Sequence, residues 1–188
     1  MDAFSYLSVL LSVILGLAIQ QVLLGYRGLA LSRRQIKWYA PPLIWSVLIL
    51  LMVAQHWWSS FGLASHDDWS FALFATILIQ TALFYMMAAV VLPDIPADQP
   101  TDLRDHYYRE APVLFGTSIA TIGWSLFRGY MIDGELQEPV DVGFHLLFLA
   151  MATSACVSRR PRLHEFFAWS MLVLFAIYIA LLFARLDQ

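Results

Sequence analysis

The sequence predicts an all-α polytopic transmembrane helical bundle, a single transmembrane domain of six spans over residues 1–188. Three observations carry this prediction. Of the 188 residues, 60% are hydrophobic and only 13% are charged, and the mean hydropathy is +0.67. The apolar residues fall in long runs, and the basic residues gather in alternate loops. A soluble domain carries about a quarter charged residues to face water. Lipid is therefore the expected solvent for most of this chain.

Six segments are long and apolar enough to cross about 30 Å of hydrocarbon, which takes roughly 20 helical residues. They are residues 4–26, 38–61, 69–92, 111–131, 140–157 and 163–183. The fourth segment is rich in Ser, Thr and Gly, and the fifth is short. We expect the first segment to be retained, because no basic residue precedes it and its apolar run is longer than that of a signal peptide. Thr101 is the expected N-cap of the fourth helix.

The basic residues predict the orientation, because Lys and Arg resist translocation. Nine of the eleven lie in or beside the first, third and fifth loops, which are therefore expected in the cytoplasm. The acidic second and fourth loops and both termini would lie outside, in a bacterial inner membrane. The nine residues are Arg27, Arg33, Arg34, Lys37, Arg104, Arg109, Arg159, Arg160 and Arg162.

Two arginine-glycine pairs indicate an internal repeat. A shift of 101 residues places Arg27 and Gly28 on Arg128 and Gly129, each pair near the end of an apolar segment. Halves of residues 1–95 and 96–188 would hold three spans each, so the second half would enter the membrane upside down. That is the inverted 3+3 repeat of many transporters.

Small and polar residues form one stripe on the first span and another on the fourth. Their spacing of three or four residues puts each set on one helix face. The stripes could line a solute path with an arginine at each mouth, or they could be a packing seam between helices. The first stripe includes Ser12, Gly16, Gln20 and Arg27, and the second includes Thr117, Thr121, Ser125 and Arg128.

Histidines near the outer face suggest a second function. His56 and His145 are expected at matched depth on different helices, so they could be axial ligands of haem b. Alternatively, they could hold a transition metal together with residues of the second loop, namely His66, Asp67 and Asp68. A simple interface role with hydrogen-bond partners is the third interpretation. His106 and His164 are expected to be solvated in the cytoplasm.

The best prediction of function is a small channel or facilitator. No charged residue occupies the middle of a span, which disfavours a proton-driven pump. No hydrolase motif or phosphate-binding loop is present, so an enzyme is not predicted. The haem- or metal-binding protein and a non-transporting partner subunit remain the alternatives. The expected surroundings are the lipid bilayer and further copies of the chain in a homo-oligomer, and the scattered charge excludes a nucleic-acid groove.

The second span ends in Gln-His-Trp-Trp, residues 55–58. This cluster resembles the Gln-x-Trp-Trp-like endings of spans in small multispan bacterial membrane proteins. The resemblance implies a bacterial membrane location and no particular activity. The single cysteine, Cys156, excludes an intrachain disulfide.

Overall fold

The computed structural model describes residues 3–65, 69–95, 100–134 and 137–182, and these residues form six long helices. Their bounds are Ala3–Leu31 (α1), Ala40–Ser60 (α2), Phe71–Val91 (α3), Leu103–Asp133 (α4), Pro139–Val157 (α5) and Pro161–Leu182 (α6). A short 3₁₀ turn, Phe61–Ser65, extends α2. The predicted all-helical class is confirmed, and each helix coincides with one predicted span to within a few residues, except that α4 begins earlier.

The helix starts follow ordinary capping chemistry. The Ser70 hydroxyl accepts a hydrogen bond from the Leu73 amide at 3.1 Å and thereby satisfies one free donor of α3. Asp102 does the same for α4, accepting from the Arg104 amide at 2.9 Å. The predicted cap was Thr101, which is wrong by one residue. Thr101 instead belongs to a two-residue strand, where its amide bonds to the Gln35 carbonyl.

Five of the six helices are long and apolar enough to cross a membrane, namely α1, α2, α3, α5 and α6. The chain is therefore compatible with an integral membrane protein. The helix α4 does not meet the same measure, so six spans are not established by composition. Its position is nevertheless clear, because α4 runs antiparallel along α3. His106 Nε2 lies 3.1 Å from the Val90 carbonyl near one end, and Trp124 Nε1 donates to the Thr76 carbonyl at 2.8 Å near the other.

The three basic loops lie at one end of the bundle. The strand β1 (Ile36–Lys37), after α1, pairs in parallel with β2 (Thr101–Asp102), before α4. Lys37 forms an ion pair with Asp102 at 3.4 Å. The start of α6 joins the same end, because His164 Nδ1 lies 2.9 Å from the Tyr107 hydroxyl. The predicted grouping of the basic loops is thus found in the fold.

The packing of the helices gives the predicted inverted repeat no support. The helix α1 packs extensively on α3 at the edge of the bundle. A two-fold relation would place α4 equally against α6, yet α4 packs mainly on α3 and α5. The two halves therefore bury different faces.

The glycines of the two arginine-glycine pairs are instead points of close approach. A Cβ on Gly129 would collide with the amide of Gln137, which lies directly on the helix. A Cβ on Gly28 would touch Ile95 at 3.4 Å, and one on nearby Gly25 would stand 2.7 Å from Leu92 Cβ. In each half, glycine lets a following segment lie against a helix backbone.

Candidate functional site

A cavity of about 240 Å³ lies among α2, α3, α4, α5 and α6, at the end of the bundle opposite the basic loops. Its position follows from its lining, which comes from the last turns of α2 and α4 and the first turns of α5. Most of the lining side chains are polar. They are Gln55, His56, Ser59, Gln80, Thr121, Ser125, Arg128, Gln137, Asp141, His145 and Tyr178.

Asp141, His145 and Ser125 lie side by side on one wall of the cavity. His145 Nδ1 lies 2.9 Å from the backbone carbonyl of Asp141 and 3.2 Å from its carboxylate Oδ1, one helical turn earlier on α5. A carbonyl can only accept, so Nδ1 carries the proton. His145 Nε2 lies 3.2 Å from the hydroxyl of Ser125 on α4. In the neutral imidazole, Nε2 is therefore the acceptor, and the Ser125 hydroxyl donates to it.

Arg128 and Tyr178 complete this wall. The Tyr178 side chain hydrogen-bonds with Asp141, and the Arg128 guanidinium lies close enough to act electrostatically on both. The charge of Arg128 also reaches His56 on the opposite side of the cavity. Arg128 and Asp141 thus bring opposite charges into a largely apolar bundle. The sequence predicted that no charged residue lies in the middle of a span. Arg128 and Asp141 do lie near helix ends, but their side chains point inward and line the cavity.

His56 lies on α2 with only 2% of its surface exposed. Its Nε2 lies 3.5 Å from the hydroxyl of Thr81, and its ring lies 5.0 Å from that of Phe84. The Thr81 hydroxyl donates to the Ile77 carbonyl at 2.9 Å, so its oxygen is left to accept from His56. The contact of 3.5 Å between His56 on α2 and Thr81 on α3 orients the imidazole through a neutral partner.

Gln80 is a buried polar side chain whose amide oxygen lacks a hydrogen-bond donor among the described residues. It is 2% exposed, and its Nε2 donates to the Thr121 carbonyl at 3.4 Å. The reverse orientation would place two oxygens together, so the assignment of its amide is fixed. Among the described residues, Oε1 has no hydrogen-bond partner. A buried acceptor in this state costs about 1–3 kcal/mol unless a solute or water donates to it.

An apolar layer closes the cavity toward the basic end. Four side chains, Met52, Ile122, Phe148 and Phe175, line both the polar cavity and a second void of only about 30 Å³ beneath it. Trp45 continues the layer and meets Phe115 edge to face, with ring centroids 5.2 Å apart. The polar cavity is therefore one-sided in this conformation.

The basic end is sealed by a second cluster. His164 is fully buried and lies between the Tyr107 hydroxyl at 2.9 Å and the Ser158 carbonyl at 2.8 Å. His106 is 7% exposed. The prediction that both histidines are solvated is wrong. His164 packs against the rings of Tyr107 and Phe115 on α4, and His106 lies against the end of α3 at the Val90 carbonyl.

The structure brings together five of the predicted site residues and places five others outside the cavity. Thr121, Ser125, Arg128, His56 and His145 line one cavity. Thr117 is half-buried outside it and accepts a hydrogen bond from the Thr121 hydroxyl through its carbonyl. The α1 stripe of Ser12, Gly16, Gln20 and Arg27 is exposed on the far side of α1. His66, Asp67 and Asp68 lie outside the described residues.

Three important cavity residues were not predicted. Gln80, Asp141 and Tyr178 carry the unpartnered acceptor, the carboxylate and the phenol of the site. Asp141 had a sequence signal, since it precedes His145 by four residues and so shares its helix face. Gln80 and Tyr178 look like isolated polar residues in apolar spans, and only packing reveals where they point.

The cavity has little room for a haem and few ligands for a metal ion. In the ranges that the structure describes, no three His, Cys, Asp or Glu side chains are grouped to hold an ion. Both nitrogens of His145 already face hydrogen-bond partners. The volume of about 240 Å³ is below the roughly 300–1,000 Å³ of sites that enclose drug-sized ligands. Haem binding by His56 and His145 remains a prediction that would require the helices to separate.

No protein-family model, curated protein or solved structure matches the chain.

Proposed function

We propose that this chain is a six-span facilitator of a bacterial inner membrane that binds a small polar solute from the extracytoplasmic side. One observation carries the proposal. The acceptor oxygen of Gln80 is buried and unpartnered among the described residues, inside a polar cavity that lies directly on an apolar layer. Such a cavity can bind a molecule with a hydrogen-bond donor before the apolar layer opens.

The orientation in the membrane follows from the charges of the loops. Three basic loops share one end of the bundle, and the positive-inside rule assigns that end to the cytoplasm. The antiparallel contact with α3 favours α4 as the remaining span, in which its polar face is covered by the neighbouring helices. Both termini and the polar cavity then belong to the outer side.

The cavity favours a small, uncharged solute with N–H or O–H groups. Its volume of about 240 Å³ corresponds to about eight water molecules at their share of liquid volume. Two amide oxygens, those of Gln80 and Gln137, have no partner among the described residues and can only accept. Arg128 and Asp141 offset each other, so the site does not demand a net charge on the solute.

Passage requires movement of the apolar layer. A void of about 30 Å³, lined by Ser118 and otherwise by aliphatic, aromatic and thioether groups, holds water poorly. Such constrictions gate channels by excluding water. Ile122 and Phe148 lie on adjacent helices at this level, so a small shift of α4 against α5 would open the layer. The protein is in this sense a gated facilitator.

Swelling of proteoliposomes tests the proposal. The full chain is reconstituted, and stopped-flow light scattering follows the entry of glycerol, urea and sucrose. We expect glycerol or urea to enter several-fold faster than into empty liposomes, and sucrose not to, because sucrose exceeds the cavity. Ile122→Trp should fill the layer and remove the effect. Ile79→Trp, on the exposed face of α3, is the matched control and should retain it.

Three outcomes would contradict the facilitator. Rates equal to those of empty liposomes would favour the non-transporting partner subunit. Equal loss in both tryptophan variants would show that the layer is not the barrier. A purified protein with a Soret band that disappears in His56→Ala or His145→Ala would favour the haem-binding alternative.

The predicted homo-oligomer belongs to the same proposal. Ser12, Gly16 and Gln20 lie on the exposed face of α1, where a glutamine amide would otherwise meet lipid. Small residues let helix backbones approach, and a glutamine can hydrogen-bond across such a contact. This face is therefore the expected seam between copies, while the solute cavity lies within each protomer.

A further inference from the structure

We propose that Ser125 is a nucleophile, activated by His145 and Asp141, and that the cavity hydrolyses small carboxylic esters. The inference goes beyond the facilitator. It requires only that a carbonyl compound enter the cavity from the outer side, not that any solute cross the membrane.

The roles follow from the order of the three groups. Ser125 Oγ lies 3.2 Å from His145 Nε2, and the proton on His145 Nδ1 is held by the Asp141 backbone carbonyl at 2.9 Å. Asp141 Oδ1 lies 3.2 Å from Nδ1 as a neighbouring negative charge without a hydrogen bond to it. The backbone carbonyl orients the imidazole, the nearby carboxylate can stabilise the imidazolium by its charge, and Nε2 is left to take the proton of the hydroxyl. Serine hydrolases of unrelated folds share the hydroxyl–imidazole pair with a carboxylate beside it, which is recognised by geometry and not by position in the sequence. Here a backbone carbonyl takes the place of the carboxylate as the acceptor for Nδ1.

Ser125 also differs from its neighbours on α4. The hydroxyls of Ser118 and Thr121 donate to the carbonyls four residues earlier, each at 2.8 Å. That is the ordinary bond of a hydroxyl residue inside a helix. Ser125 is instead bonded to an imidazole nitrogen on another helix and faces the cavity. A nucleophilic hydroxyl needs a base to receive its proton. A hydroxyl bonded to a carbonyl of its own helix has no such base, whereas Ser125 has His145.

The cavity supplies the remaining parts of the reaction. Arg128 lies one helical turn after Ser125 and lines the same cavity, so its positive charge can stabilise a developing oxyanion. The apolar layer below excludes water from one side. The volume of about 240 Å³ admits a short acyl group and not a long chain or a peptide, which gives the substrate class.

The reaction balances with water as the second substrate. Ser125 Oγ attacks the ester carbonyl carbon as its proton passes to His145 Nε2. The tetrahedral oxyanion collapses, the ester C–O bond breaks, and the leaving alcohol takes the proton from Nε2. Water from the outer side then attacks the acyl carbon and gives a proton to Nε2. The bond to Ser125 breaks, and its oxygen recovers that proton while a carboxylic acid leaves.

A fluorophosphonate probe tests the nucleophile without knowledge of the natural ester. The purified full chain in detergent is treated with the probe, and mass spectrometry locates the adduct. We expect a single adduct on Ser125 that is absent from Ser125→Ala. His145→Gln should slow labelling by about 10²–10⁴-fold, the usual contribution of a general base. Ser118→Ala, whose hydroxyl is bonded within the helix, should label at the normal rate.

A thiol in place of the hydroxyl provides the second measurement. In a Cys156→Ala background, Ser125→Cys is alkylated with iodoacetamide over a range of pH. With His145 present, the midpoint of the rate should lie well below about 8.5, the value of a free cysteine, because a thiolate beside an imidazolium forms readily. His145→Gln should return the midpoint to about 8.5.

Two results would overturn the inference. One is the absence of a Ser125 adduct on protein that elutes as a folded species, whether or not the alkylation midpoint of Ser125→Cys depends on His145. The other is an adduct that forms equally fast in His145→Gln. Swelling without labelling would leave the facilitator and remove the hydrolase, whereas labelling without swelling would do the reverse.

Discussion

Replacing Gln80 by methionine should stabilise the protein while weakening its binding of solutes. Gln80 is 2% exposed, and its Oε1 has no partner among the described residues. An unpartnered buried acceptor costs about 1–3 kcal/mol. The bond that would be lost, from Nε2 to the Thr121 carbonyl, is long at 3.4 Å, so its contribution lies at the low end of about 0.5–1.5 kcal/mol. Methionine has a similar volume and leaves no cavity.

The expected net gain is about 1 kcal/mol, which corresponds to a rise of about 2–4 °C in the melting temperature of a chain of this size. The assay is thermal unfolding in detergent, combined with glycerol swelling of proteoliposomes. Swelling should fall several-fold, since loss of one hydrogen bond to the solute is about 0.5–1.5 kcal/mol. Stability and transport should therefore move in opposite directions.

Gln21→Met is the matched control. The Gln21 amide donates to the Tyr85 hydroxyl at 3.1 Å, so this glutamine makes its hydrogen bond. Its replacement should destabilise the protein by about 1 kcal/mol. If Gln80→Met destabilises the protein as much as Gln21→Met does, the Gln80 oxygen is satisfied in the folded state. The reasoning that assigns this oxygen to a solute would then be refuted.

Four further predictions follow from the fold. A topology reporter at Gln35 should be active only in the cytoplasm and one at Gln188 only outside; a cytoplasmic Gln188 would exclude six spans. Gly25→Ala should lower the free energy of unfolding by about 1–3 kcal/mol, because its Cβ would stand 2.7 Å from a leucine Cβ. Gly16→Leu should leave the unfolding of the protomer unchanged, because nothing lies within 4 Å of that site, and should dissociate an oligomer sealed by α1, as sedimentation would show. Burial lowers the pKa of His106 below its ordinary value of 6.5. The unfolded chain therefore binds the extra proton, so stability should fall as pH drops through about 6.5, and His106→Gln should flatten that slope in chemical unfolding.

The acid sensitivity of Asp102 has a different physical basis. Desolvation would raise the pKa of Asp102, but the amides of Arg104 and Asp105, together with Lys37, outweigh it and lower the pKa. Its contribution to the cap of α4 is therefore complete above the unfolded value of 3.8 and is lost only in stronger acid. This carboxylate is not the source of a pH response near neutrality.

Hydropathy and charge along the chain determined the helices and the grouping of the loops. The long apolar runs predicted helices, since a helix satisfies its backbone groups within the segment, as a lipid environment requires. The gathering of Arg33, Arg34 and Lys37 with the other basic residues placed three loops at one end. These properties are additive along the sequence and need no knowledge of neighbours. The weak apolar character of the fourth segment was also visible, and composition alone still does not establish it as a span.

Tertiary structure alone decided which faces meet. The two polar stripes were equally visible in the sequence, yet Ser125 lines the cavity and Gln20 is exposed. Every face of an apolar helix is soluble in lipid, so hydropathy does not fix rotation about the helix axis; packing against neighbouring helices does. For the same reason, a serine on α4 and a histidine on α5 became partners only when two helices were docked. The sequence determined the helices, and the docking of α4 against α5 determined the site, because contacts between helices depend on three-dimensional packing that no single segment contains.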